Sequence, residues 1–482
     1  MASMESSPDD QDPTTVLRLP TEVRVLNVGL SILGEGVRAQ GVPAVDVDWR
    51  IPAGGREDLV DALARLYGTA TERIDEANRE VVRRLDEGAP VLMTVGTSKD
   101  EIPGVGARTI LHPGPALSWD RFCDPLRRSV HAAVMAEGWA SSPEEAERLV
   151  AGGEVELDSA NHHGTVVPMA TALGPSAPVL VVENPQGGNR AYSAINQGSG
   201  KTPWFGVETP EAVARLVFLR EAVGPVLREA LLSSGPIDLL SLVAQGLQMG
   251  DDAHMRIQAT TNLFIRHILP DLVGSGHPDR VEVAGFLSFD HLFFLNLAMA
   301  AAKALTDWAA DVPDSSIVIG MARNGTTFGI RLAGTGDRWF LAAAPPVGDA
   351  LYHAGSAPEH AAPDIGDSAV LELVGLGGAA AAASPAVAAF VGGTMADAVS
   401  VTEDFDRICV ARSGRFKLPF LDYRGSPLGI DVRKVVELEI TPSINTGILH
   451  ASAGTGQVGA GVARAPIACF SEALLALDAS LR

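Results

Sequence analysis

The stretch VRVLNVGLSILGEGVRAQGVPAVDVD, Val23–Asp48, decides the first part of the fold. Val23 to Val28 is a short apolar run, the pattern of a buried strand. Gly29 follows it, and Leu30 to Gln40 carries apolar residues at helical spacing. Gly41 stands where a glycine commonly ends a helix. Val42 to Asp48 reads as a second strand. Strand, helix and strand in this order predict a β-α-β unit of the nucleotide-binding type, ending on an acidic residue. Its glycines do not form GxGxxG, so the unit reads as a Rossmann-like scaffold without a dinucleotide.

Outward from that stretch, helices are expected near Arg56–Tyr67 and Thr71–Asp86, and strands at Val91–Val95 and Thr109–Leu111. Together they extend a doubly wound sheet to about Pro115. On the other side, the first fifteen residues are polar and acidic and read as a disordered tail, not a signal peptide. Helical spacing returns over Trp119–Leu149, Pro210–Ser233, Ile237–Leu272 and Leu292–Trp308, with a buried strand at Ala177–Val182. The last third alternates short strands with Gly-rich turns, including a late strand at Val432–Ile440. The expected fold class is α/β plus α+β. A tail (residues 1–15) and a Rossmann-like domain (16–118) precede an α+β domain (119–235), a helical segment (236–312) and a C-terminal α+β domain (313–482).

Bulk properties narrow the partners. The chain has 482 residues, 46% apolar and 20% charged, ample for two to four packed domains. Its formal net charge of −22 repels phosphate backbones and anionic lipid, so nucleic acid and membrane are not expected partners. An anionic substrate would need positive potential gathered locally. Cys123, Cys409 and Cys469 are far apart and show no CxxC or zinc spacing, which fits a reducing cytoplasm. The small-residue stretch Ala369–Val391 contains Glu372, which is costly in hydrocarbon. It reads as a buried helix or turn against a ligand site.

Several stretches are collinear with one known family: EIPGVGARTILHPGP (Glu101–Pro115), VVENPQGGNRAYSAINQGSGK (Val181–Lys201), AQGLQMGDDAH (Ala244–His254), DHLFFLNLAMAAAKA (Asp290–Ala304), MARNGTTFGIRLAGTGDRWF (Met321–Phe340), PDIGDS (Pro363–Ser368), DYRGSPLGIDVRKVVELEITPSINTGILH (Asp422–His450) and GQVGAG (Gly456–Gly461). With these, from about Arg24 to its end, the chain resembles the YlbE/AllG-type family, the large subunit of bacterial oxamate carbamoyltransferase. The resemblance implies an enzyme that cleaves oxalurate with phosphate to oxamate and carbamoyl phosphate. It also implies an FdrA-type subunit and a small third subunit as partners, alongside or in place of a homo-oligomer. Phosphate or carbamoyl phosphate is the expected co-substrate, with no further cofactor and no metal. The polar turns depart from the family pattern at Asn161-His162-His163-Gly164, at Gly250-Asp251-Asp252-Ala253-His254 and at Cys123-Asp124-Pro125-Leu126-Arg127. A retained scaffold with a changed substrate would show that drift.

The chemistry requires a polarised carbonyl, a held phosphate and a managed proton on the leaving nitrogen. His162, His163, His254 and Glu183 are the candidate acid–base groups. Adjacent His162 and His163 on one strand would point to opposite faces. Asp251, three residues before His254, is positioned to orient it on a helix. Substrate or phosphate candidates are Asn184 and Asn189 after a buried strand, the run Arg323-Asn324-Gly325-Thr326, Asp367, Arg433, Asn445 and Thr446. Each has a plainer reading. The histidines could be hydrogen-bonded at turns, Arg323-Asn324-Gly325-Thr326 a turn with its Arg bracing a neighbour, and Asp367 a helix cap. Cys123 lies near Arg127 and Arg128, which would lower its pKa if it were exposed. The leading function is a carbamoyl- or acyl-transfer subunit acting on a small anionic amide or ureido acid. The alternatives are amide hydrolysis or ring opening on the same scaffold, or a non-catalytic scaffold subunit.

Overall fold

A computed structural model describes residues 23–47, 51–389 and 393–482. The chain divides into two compact units, residues 1–54 and 55–482. In the first, Val25–Val28 pairs in parallel with Ala44–Val47, and helix Ser31–Ala39 connects them. This is the β-α-β unit the sequence predicts. Asn27 donates to Asp46 at 2.7 Å and Arg38 closes on the same carboxylate. Those two hydrogen bonds hold the Asp46 carboxyl below its usual range. Asp48 and the N-terminal tail lie outside the described residues.

The doubly wound sheet does not continue from there. Strand Val91–Thr97 pairs antiparallel with Pro178–Asn184 and with Ile237–Asp238, inside a five-stranded sheet of the second unit. Thr109–His112 pairs with Glu156–Ser159 in a separate two-stranded sheet. Among the described residues, the parallel sheet of the first unit therefore has two strands. The cause is pairing at long range: an apolar run specifies a buried strand but not its neighbour.

The second unit is mixed α and β. Helix Phe294–Ala309 lies on the five-stranded sheet against the hairpin Pro178–Asn184 and Asn189–Ala194. Its run of alanines permits that close approach, and almost every residue in it is buried, Lys303 included. Lys303 is tolerated because Asp307, one turn on, takes its ammonium at 2.8 Å. The C-terminal part adds a four-stranded sheet containing the hairpin Val318–Asn324 and Thr327–Leu332. A three-stranded antiparallel sheet contains Ser443–Leu449 and Gln457–Arg464.

Two further segments differ from the sequence reading or sharpen it. Val432–Leu438 is a helix, not a strand, because the Asp431 carboxylate caps the Arg433 N–H at 2.9 Å. Ser368 to Ala383 forms three successive 3-10 turns, buried throughout, so the stretch around Glu372 is turn rather than long helix. No single helix among the described residues is long and apolar enough to cross a membrane.

Candidate active site

Segments distant in sequence converge on one small cavity of about 60 Å³. Its walls include Met169, Trp204, His254, Leu292, Ser368, Asn445, Thr446 and Gln457. At about 30 Å³ per water in the liquid, it has room for roughly two waters. That matches the reacting part of a small metabolite, not a nucleotide.

His254 lines the cavity and is paired with a buried carboxylate. Its Nδ1 stands 2.7 Å from Glu372 Oε1, and both side chains are buried. Gly378 N–H donates to the same oxygen at 3.2 Å. Gly377 admits this arrangement: it has φ +57°, and a Cβ there would lie 2.2 Å from Glu372 Oε1. With Nδ1 committed to the carboxylate, Nε2 is the ring nitrogen left for a ligand. A carboxylate–imidazole pair of this kind fixes the tautomer and presents one basic nitrogen. The sequence proposed Asp251 as the orienter, and the structure corrects that. Asp251 accepts from Ala259 N–H, Thr260 N–H and Thr260 Oγ1, so it caps helix Gln258–Gly274.

The turn before His254 is held by Asp252, which accepts from Met255 N–H, Arg256 N–H and Asn445 Nδ2. Ala253, between Asp252 and His254, has φ +66°, and Met169 across the cavity has φ +52°. Non-glycine residues in this region cost about 1–3 kcal/mol and cluster at functional sites. Gln197 Oε1 accepts from Trp204 N–H, and Asn196 donates to Leu292 O, which fixes two further walls.

Arg323 lies beside the cavity and does not enter it. Its Nε and Nη2 grip Asp364 at 2.6 and 2.8 Å, Nη1 donates to Gly366 O at 2.6 Å, and Thr446 Oγ1 lies 3.3 Å from Nη2. The guanidinium is wholly buried. Its fork is taken up by Asp364 and Gly366 O, next to Thr446 and Ser368, rather than open toward an anion. Gly325-Thr326 forms the two-residue hairpin turn, with Gly325 at φ +78° and Asn324 Oδ1, at the end of the first strand, accepting from Thr326 and Thr327 N–H. Thr326 Oγ1 donates to Arg121 O. Asp367 ties three segments together, accepting from Gly114 N–H, Asn161 Nδ2 and Val167 N–H. Burial pushes its carboxyl up to about 6.

Other predicted residues fall elsewhere. His162 and His163 sit on a 3-10 turn, not a strand, and both ring systems close on Asp158, at 2.8 and 2.9 Å. They share one carboxylate instead of facing opposite ways. Glu183, Asn184 and Asn189 lie at the turn end of the Pro178–Ala194 hairpin. The six-residue strand separates that end from Asn196 and Gln197 by roughly 20 Å. Glu183 pairs with Arg190 there, while Asn184 and Asn189 bond to each other and Asn189 anchors on Ala304 O. Arg433 is clamped by Asp431 and Asp75 over the Tyr67 ring. Cys123 is largely enclosed, and burial pushes its thiol up to about 11, the reverse of the activated cysteine considered above.

His254, Asn445 and Thr446 are thus the predicted residues that line one cavity, with Arg323 and Asp367 behind its wall. Glu372, Asp252, Ser368, Trp204 and Gln457 were missed as site residues. The signal available for Glu372 was a lone acid inside an otherwise apolar, small-residue run. Among the described residues, no Arg or Lys lines this cavity. An anion there relies on His254, Ser368, Thr446 and Gln457 as donors.

Comparison with known proteins identifies the family of the chain. Residues 155–368 match the family model described as "Oxamate carbamoyltransferase subunit AllG". The chain is 41% identical over 416 residues to the protein of that name from Escherichia coli (strain K12), covering 85% of this chain and 98% of the relative. It is 34% identical over 456 residues to the uncharacterized protein YahG of the same organism, covering 94% and 96%. The crystal structure of a conserved protein of unknown function from Enterococcus faecalis V583 superposes with a TM-score of 0.83 at 35% identity, covering 86% of this chain and 99% of that one. Identity of this extent along nearly whole chains means that the chain belongs to the family of the oxamate carbamoyltransferase subunit AllG.

Proposed function

We propose that this chain is the large subunit of a carbamoyl-transfer enzyme acting on a small ureido or amide acid, and that the His254 cavity is where the chemistry occurs. The observation that carries this reading is the buried His254–Glu372 pair at the wall of a small, hydroxyl- and amide-lined cavity. In the direction of oxalurate cleavage, a phosphate oxygen attacks the terminal ureido carbonyl. The C–N bond to the oxamate nitrogen breaks and carbamoyl phosphate forms. His254 Nε2 takes the proton that phosphate loses and returns it to the departing nitrogen, while Glu372 stabilises the transient imidazolium. Ser368, Thr446 and Gln457 supply donors to the carbonyl oxygen.

At about 60 Å³ the cavity holds the reacting centre more readily than two whole substrates. This supports a site completed in a complex with an FdrA-type chain and a smaller third subunit, as the relative's designation as a subunit suggests. The test is a phosphate-dependence assay on oxalurate and related ureido acids, with the chain alone and with its FdrA-type partner, scoring carbamoyl phosphate. Product that appears only with phosphate supports transfer. Turnover without phosphate would point instead to amide hydrolysis by the same histidine. The absence of turnover by the complete complex on every ureido acid would reject the reading.

A further inference from the structure

Asn445 lines the His254 cavity and is only 1% exposed. Its Nδ2 donates to Asp252 Oδ2 at 2.7 Å. Asp252 also accepts from Met255 and Arg256 N–H, so it acts as an acceptor, and the Asn445 amide must turn its NH2 group toward it. The amide oxygen Oδ1 therefore faces away from Asp252. Among the described residues no donor reaches it. Glu372 Oε2 is also without a partner, but it is sealed inside the protein, whereas Asn445 Oδ1 keeps accessible surface. That surface lies in the cavity the residue lines. His254 Nε2 opens on the same space, since Nδ1 is the nitrogen held by Glu372. Ser368 Oγ, a third lining atom, accepts from Arg323 Nη1 at 3.4 Å, which leaves its own proton to donate.

The cavity thus presents a free acceptor and a free donor without a fixed positive charge. Two buried carboxylates, Glu372 and Asp252, hold its lining residues, and among the described residues neither pairs with a Lys or Arg. Their field and the Asn445 oxygen disfavour an anion and favour a neutral group that carries an N–H. We propose that Asn445 determines the specificity of this site: its Oδ1 accepts an N–H from a terminal carbamoyl NH2 group, while Ser368 Oγ donates to the carbonyl oxygen of that group. A terminal carbamoyl group fits a space of about 60 Å³, and the carboxylate of a ureido acid stays outside it. An analogue without the N–H leaves a buried acceptor unpaired, which is how such a site rejects it. The inference rests on the carbamoyl-transfer reading in one respect, that the seated group is the one transferred. The recognition itself is a binding property and needs neither turnover nor a partner chain.

The test is titration of the full chain, carrying methyl-13C methionine, with acetamide, acetone and acetate. Met169 and Met255 line the cavity and serve as NMR reporters. The three probes share one shape. Acetone lacks the N–H, and acetate puts an anionic acceptor in place of the NH2 group. The expected result is a saturable shift of the reporter signals by acetamide, with affinity about tenfold or more above that for acetone and acetate. Asn445→Ala should lose that preference, its fold checked by the remaining methionine signals. The wild-type comparison decides the matter if the variant does not fold. Acetone or acetate binding as tightly as acetamide would overturn the proposal. So would an absent acetamide shift, or a preference that survives in folded Asn445→Ala. Assembled complexes keep the two readings apart. Acetamide preference without carbamoyl phosphate from any ureido acid rejects transfer and leaves carbamoyl recognition standing. Carbamoyl phosphate formation without that preference rejects the role of Asn445 and leaves transfer standing.

Discussion

Glu372 Oε1 and His254 Nδ1 stand 2.7 Å apart inside the protein, joined across 118 residues of sequence. Neither residue is placed by its own helix or strand. Glu372 comes from a chain of 3-10 turns and His254 from the loop that precedes helix Gln258–Gly274, so the pair is a product of tertiary packing.

The first prediction concerns that pair. Glu372→Gln keeps the size of the side chain and removes the charge that stabilises the imidazolium. The assembled enzyme should lose at least tenfold in kcat with KM changed less than threefold, a loss within the range attributed to general acid–base catalysis. An equal rise in KM with kcat intact would assign Glu372 to binding instead.

Gly377 is the second test. Alanine there places a methyl carbon 2.2 Å from Glu372 Oε1 at a φ of +57°. The variant should unfold at lower urea concentration, by more than about 1 kcal/mol, and lose activity beyond what reduced folding explains. Activity per folded molecule equal to wild type would show that the pair tolerates displacement.

Much of the local structure was legible in the sequence. Gly41 and the apolar spacing before it gave the β-α-β unit, because helix ends and strands depend on nearby residues. The partner of Val91–Thr97 was not legible, because strand pairing is decided by chain that comes much later. Val432–Leu438 reads as a strand through its paired valines, yet one Asp431 side chain starts a helix there. The same holds at the site. His254 was recognisable as a candidate acid–base group. Its orienter was not, since Asp251 looks equally suitable until its lone pairs are seen to be taken by Ala259 and Thr260. Arg323 stood out by residue type, and only the buried Asp364 opposite shows that its donors are occupied.

Arg323 accordingly becomes a stability prediction. Arg323→Met leaves Asp364 buried without its counter-charge, a change that typically costs about 3–5 kcal/mol. Equilibrium urea unfolding should show a loss of that order. A variant within about 1 kcal/mol of wild type that binds substrate poorly would restore the anion-clamp reading.

Asp290 supplies the pH prediction: it is buried, and its Oδ2 has no hydrogen-bond partner among the described residues. Its folded pKa of about 6 lies above the unfolded value of about 3.9. Below about pH 4 the group is protonated in both states and carries no penalty. Between about 4 and 6 the unfolded chain gives up the proton first, so stability falls as pH rises, and above 6 the loss is complete at roughly 3 kcal/mol. Asp290→Asn removes that fall. Its thermal midpoint should match wild type near pH 4 and exceed it near pH 7.5. A variant less stable than wild type at pH 7.5 would contradict the assignment of Oδ2 as an unpartnered oxygen.

The most direct measurement is the rate of carbamoyl phosphate formation from oxalurate and phosphate by complexes assembled with wild-type chain and with His254→Asn. The account predicts phosphate-dependent product from the wild type and a loss on the order of a hundredfold or more in a folded, fully assembled His254→Asn complex. Wild-type turnover by that variant would contradict it and remove the His254 cavity as the place of chemistry.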